Sequence, residues 1–283
     1  MNELGRYLRV FLTFARNSLV RDMTFRTNFL LQCVSSLGWT AMNVGFYLII
    51  FEHTGSIGEG TGWDRDRFFL FIATTWFINS LVQAFFMPNA QEFSEMIRTG
   101  GLDFALLKPI DTQFLISFRR IDWSQLSNFF AGGLIAVVSL WNLGTRDVDP
   151  MIPSPLSVVL YVIFVVCGVM MMYSLMVALS ATSVWLGRNQ SLYNFWFYIT
   201  NFSRYPMEIY NRSWGRPLYG FFTFVIPILL VVNVPARILA QPVSDQQGGH
   251  WFVIWAAVAT VLSVTASRWM FRRSLLSYRS ASS

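Results

Sequence analysis

Few residues of this 283-residue chain are of a type and spacing that could carry out chemistry. Its two histidines, His53 and His250, have neither a His-Glu-x-x-His helix around them nor a second imidazole at ligand spacing. Both read as loop residues. Cys33 and Cys167 each lie within an apolar run, so no disulfide framework or thiolate metal site follows from them, and they read as small buried hydrophobes. Glu52, Glu59, Asp64 and Asp66 share one loop. Paired carboxylates can do acid–base work or hold a cation, but a solvated acidic loop accounts for them more simply. Glu208 is the one carboxylate placed to act as an acid or base at membrane depth. The single lysine, Lys108, is followed by Pro109, and no Gly-x-x-x-x-Gly-Lys-Ser/Thr loop exists to cradle nucleotide phosphates. No catalytic residue and no bound cofactor is expected.

The elements that would hold these residues are apolar. The chain is 54% hydrophobic and 13% charged, against about 25% charged in a soluble domain. That composition excludes an ordinary soluble enzyme. The net charge of +6 comes from arginines set in the gaps between apolar runs, without the basic stripe and interleaved aromatics of a nucleic-acid groove. Nucleic acid is therefore not an expected partner; membrane lipid is. A helix needs about 20 apolar residues to cross a bilayer, and spans are expected at 27–51, 68–87, 115–142, 156–186 and 251–270. The uncharged part of the third begins at Trp123, after Arg119, Arg120 and Asp122. Asn79 with Gln83, and Gln32 with Asn43, are polar pairs within spans, best read as hydrogen bonds between helices.

The N-terminal segment 1–26 has Leu4, Leu8, Phe11, Ala15 and Leu19 on one helical face and Arg9, Thr13, Arg16 and Asn17 opposite. This is the pattern of an amphipathic helix lying on the membrane surface. Arginines crowd both this segment and the tail from Arg268, so both termini read as cytoplasmic, which requires an even number of crossings. Six crossings leave two arrangements for 190–240. Either 190–208 is the fifth span and 215–240, broken by Pro227 and Pro235, re-enters the membrane, or 218–239 is the span and the preceding piece lies on the cytoplasmic surface. Arg204, Arg212 and Arg216 favour the second; the prolines favour the first.

Between the second and third spans, 88–113 reads as two short helices stopped by Gly100-Gly101 and by Lys108-Pro109. Its sequence Gly101-Leu102-Asp103-Phe104-Ala105-Leu106-Leu107-Lys108-Pro109, followed by Asp111, resembles the Gly-x-Leu-Asp-x-x-Leu-x-Lys-Pro signature of bacterial ABC-2 type transporter permeases. Phe25-Arg26-Thr27-Asn28-Phe29 is similar to that family's entry into its first span. Arg204-Tyr205-Pro206, Val225-Ile226-Pro227 and Pro235-Ala236 are similar to its fifth-span region, and Tyr278-Arg279-Ser280-Ala281-Ser282 to its ending.

The resemblance implies an all-α integral membrane bundle of six transmembrane helices in the bacterial inner membrane, with both termini cytoplasmic and re-entrant helices before the last span. That favours the first arrangement. It also implies an export permease that pairs with a second copy or a homologous permease and is driven by a separate ABC ATPase, which binds the ATP and magnesium. The ATPase contacts are then expected among Arg98, Gly101, Leu102, Asp103, Leu106, Leu107, Lys108 and Pro109. The substrate-binding residues are left unassigned. An integral membrane enzyme modifying lipids, with Glu208 as its acid or base, is the rival from another class; a scaffold subunit that transports nothing is a third.

Overall fold

The computed structural model describes residues 3–58, 61–147, 150–186, 190–211, 213–241 and 249–278. Glu59 of the acidic loop, the arginines Arg188 and Arg212, and the tail from Arg279 lie outside the described residues. Within them the chain is all-helical, with no strand. The helices are α1 (Glu3–Thr24), α2 (Arg26–His53), α3 (Arg65–Phe85), α4 (Met87–Arg98), α5 (Gly101–Leu106), α6 (Thr112–Phe118), α7 (Leu126–Gly144), α8 (Pro155–Leu186), α9 (Gln190–Asn201), α10 (Arg216–Gly220), α11 (Ile228–Ala240) and α12 (Gly249–Ser277). Among the described residues, five stretches are long and apolar enough to cross a membrane, and a sixth is reached if the pair Arg216–Val225 and Ile228–Ala240, bent by 86°, counts as one span.

The described helices depart from uniform rods at three places. The stretch 115–142 is two helices, because Asp111 caps α6 by accepting from the Phe114 N–H at 2.9 Å, and Asp122 accepts from the Ser124 N–H at 3.1 Å and so starts a new 3-10 turn before α7. In 190–208, α9 has 12 residues and gives way to 3-10 turns at Phe202–Arg204 and Met207–Ile209. In 215–240, the π-helical stretch Phe221–Val225 ends at Ile226 and Pro227 starts α11 in a new direction, since proline cannot extend the helix before it.

The core forms around α3 and α11. Phe68, Leu70, Phe71 and Ile78 of α3 are buried against Leu229, Leu230 and Val231 of α11 and Met171 and Met172 of α8. Almost every residue of α11 is buried, as an all-round apolar helix must be when it is wrapped by others. Small residues let backbones close on one another. A Cβ added at Gly168 would lie 2.7 Å from the Val231 carbonyl oxygen, and one at Gly132 would lie 3.2 Å from that of Ala73. Hydrogen bonds that cross between helices here include Thr40 to Asn128 at 3.0 Å and Thr74 with Tyr161 at 3.1 Å, while Asn43 bonds back to Trp39 of its own helix.

One end of the bundle, called the base below, carries α1, α4, α5, α6 and the last turns of α12. The other end is tied by charge. Arg146 reaches Asp64 at 2.8 Å and also bonds Asp66, and Asp64 caps α3 by accepting from the Arg67 N–H at 3.0 Å. Burial would raise the Asp64 carboxyl, but the hydrogen bonds from Arg146 and Arg67 outweigh it and hold the group below its ordinary value. Asp64 and Asp66 are thus a clamp between α3 and α7, and no three-ligand metal cluster forms among the described residues. Nearby, Glu208 is paired with Arg237 and accepts from the Trp63 indole N–H at 3.3 Å. Asn233 of α11 accepts from the Met207 N–H at 2.8 Å and donates to the carbonyls of Leu229 and Tyr205, pinning the turns after α9 to α11.

Candidate functional site

The segment between α3 and α7 is built on the base as a set of short helices with polar fasteners. Met87–Arg98 ends where Gly100 takes φ +72°, and Gly101 opens α5. A left-handed residue without a Cβ permits that abrupt turn. The nearest atom to a Cβ added at Gly100 is 3.9 Å away, so strain and not crowding governs the position. Gly100→Ala should therefore lower stability by about 1–2 kcal/mol, and Gly100→Asn by less, as read from thermal unfolding of the purified chain. Equal stability of all three would show that the turn is not fixed.

Asn89 holds α4 to the far end of α6. Its buried amide donates to the carbonyls of Phe85 (2.8 Å), Ser117 (2.9 Å) and Arg120 (2.7 Å), and its oxygen accepts from the Arg120 N–H at 2.8 Å. Glu92 adds ion pairs to Arg119 and Arg120, both at 3.4 Å. The Asp111 carboxylate that caps α6 also accepts from Arg268 of α12 at 3.0 Å, and its backbone N–H donates to the Tyr7 hydroxyl of α1 at 3.1 Å. α1 then runs along the segment to its end: Tyr7 packs on Phe114, Phe11 on Phe118, the Ser18 hydroxyl accepts from the Ile121 N–H, and the Trp123 indole donates to the Ala15 carbonyl. The helix turns Tyr7, Phe11, Ala15 and Ser18 to the protein, leaving Leu4, Leu8, Leu12 and Leu19 exposed.

The residues expected from the signature divide by burial into three groups. Leu102 is fully buried with Phe93, Met96, Ala105, Leu115 and Ile116, together with Val177 and Ala181 of α8 and Phe271 of α12. It cannot touch a partner without unfolding the segment. Gly101 and Asp103 are half-buried. Arg98 is exposed and paired with Glu95 one turn back, an arrangement that raises its guanidinium above the ordinary value through that hydrogen bond. Leu106, Leu107, Lys108 and Pro109 are exposed. Phe104, which was not among the expected contacts, is 73% exposed and Leu107 82%. Three-residue spacing on a helix brings Phe104 and Leu107 to one face, and that spacing was available as a signal in Phe-x-x-Leu. Lys108 borders a cavity of about 200 Å³ walled also by Met96, Phe104, Leu115 and Arg119.

The arrangement brings no histidine to a hydroxyl or carboxylate of this segment. It offers an apolar tip and a cation on a small rigid body. That body rests on α8 through the Ser94–Ser183 hydroxyl pair (3.0 Å) and on α12 through Phe93–Phe271 (ring centroids 5.8 Å apart). A family model described as ABC-2 family transporter protein matches residues 37–282. No curated relative and no solved structure matches the chain.

Proposed function

The chain belongs to the ABC-2 family of transporter proteins, and from that membership we propose that it is the permease subunit of an ATP-driven exporter, working as a pair with a second copy or a homologous permease. A separate ABC ATPase, which binds the ATP and magnesium, docks on α5 and the turn after it. The base then faces the cytoplasm, as the arginines of α1 and of the end of α12 favour, in the bacterial inner membrane. The bent pair Arg216–Val225 and Ile228–Ala240 enters from the opposite side.

The observation that carries this reading is the exposed Phe104–Leu107 tip beside Lys108 on a segment otherwise fastened to α1, α8 and α12. An exposed apolar pair in water needs a cover, and a groove on the ATPase supplies it. Lys108 and Arg119 along the adjoining cavity suit a carboxylate of that partner. Because Asn89 makes α4 and α6 one unit, movement of α5 is delivered to the base halves of α8 and α12. The ATPase favours whichever bundle conformation fits its closed form, which is how ATP shifts the permease between its two states. α2, with 6% of the residues in its apolar window buried, is available to the second permease.

Glu208 is held through one carboxylate oxygen by Arg237 and Trp63, so the candidate acid or base of a lipid-modifying enzyme is here part of an ion pair that fastens the turns after α9 to α11. The test is to co-express the chain with an ABC ATPase encoded beside it and reconstitute the complex in proteoliposomes. Stable co-purification, and ATP hydrolysis several-fold above that of the ATPase alone, is expected. Lipid turnover by the chain without any ATPase would overturn the reading.

A further inference from the structure

Gly168 of α8 sits tightly against Val231 of α11, but α11 begins only at Ile228 and runs from there away from the base. The chain before it bends by 86° and is anchored to α12 by the Trp255 indole, which donates to the Thr223 carbonyl at 2.8 Å. Below the bend no described residue fills the groove between α8 and α12. A cavity of about 270 Å³ results, lined by Met171, Ser174 and Ala178 of α8, Ile226 and Pro227 of the bend, and Ser263, Ala266, Ser267 and Met270 of α12, among others. Its residues on α8 and on α12 run from the midpoint of each helix toward the base, within stretches long and apolar enough to cross a membrane.

The lining contains no ionisable group. The hydroxyls of Ser174 and Ser267 bond to their own helix, to the carbonyls of Met170 (2.7 Å) and Val264 (3.0 Å), so neither asks a ligand for a hydrogen bond. Wall residues at the rim, Val225 and Trp269, are 66% and 65% exposed, which opens the cavity to whatever surrounds the bundle. An apolar cavity of about 150 Å³ already stays dry and takes up small hydrocarbons, and in a bilayer the surrounding medium at this depth is acyl chain. We propose that this cavity is a binding site for one hydrocarbon chain of a bilayer lipid, which fills the space the bent pair leaves between α8 and α12. The proposal needs only that the helices cross the membrane; it stands or falls separately from the ATPase reading.

The full chain is placed in phosphatidylethanolamine nanodiscs doped with a phosphatidylcholine bearing a diazirine midway along one acyl chain, irradiated, and its labelled peptides are mapped by mass spectrometry. Label should concentrate on 171–178, 225–231 and 263–270, several-fold above the exposed α7 face at Leu134 and Val137. Ala178→Phe and Ala266→Phe, which fill the cavity from opposite walls, should each cut that label at least five-fold while the α7 face is labelled as before. Label spread evenly over both faces, or undiminished by both substitutions, would overturn the proposal.

Discussion

Phe104→Glu combined with Leu107→Glu should abolish co-purification with the ATPase and leave the bundle folded. Burying a phenylalanine and a leucine in a partner's groove contributes about 1.5–3 kcal/mol each, and interface anchors of this kind dominate binding. Losing both, and forcing carboxylates toward an apolar groove, weakens association by about 4–6 kcal/mol, or roughly a thousandfold or more in Kd. The fold should be insensitive, because side chains 73% and 82% exposed contribute little to it. Leu102→Glu is the contrasting variant. It places a charge among Phe93, Leu115 and Phe271, so it should reduce the yield of folded protein before any binding can be measured. Thermal unfolding alongside the pull-down separates the two behaviours. If the double variant binds as the parent does, the docking surface lies elsewhere.

Asn89→Leu should produce the second large effect, by a different route. The side chain is nearly the same size, but the Arg120 N–H loses its only acceptor given by the structure, and the carbonyls of Ser117 and Arg120 lose their Asn89 donor. Buried unpaired backbone groups cost about 1–3 kcal/mol each, so a loss of about 3 kcal/mol is expected in unfolding of the purified chain. ATPase binding should persist, since Phe104 and Leu107 are untouched, whereas stimulation of ATP hydrolysis should fall about tenfold because α4 no longer moves with α6. Loss of binding and stimulation in parallel would instead mean that Asn89 only holds the tip in place.

The membrane-embedded all-α bundle was legible from composition and from charge-free runs, because crossing a bilayer imposes a length and an apolarity that few other constraints disturb. Breaks within the runs were partly legible. Pro227 announced the bend, and Asp111 and Asp122 are capping residues whose position just before α6 and the next turn signals two helices in 115–142. Pairings over long separations were not legible. Arg146 meets Asp64 and Asp66 some eighty positions away, and nothing local distinguishes that clamp from a solvated loop. In α5 six residues are too few for periodicity to say which face is inward, so Leu102 and Leu107 looked equivalent until packing separated them. Nothing local distinguished Asn89, whose role depends on the backbone of residues 117 and 120 folding back over it.

The most direct measurement of the central claim is site-specific photocrosslinking in the intact complex, with benzoylphenylalanine in place of Leu107. The account predicts a crosslink to the ATPase from this position, strong in the assembled complex and absent from benzoylphenylalanine at Trp141, an exposed residue of α7 near the opposite end of the bundle. Crosslinks from 107 that go only to lipid or to the chain itself, in a complex that still hydrolyses ATP, would contradict it.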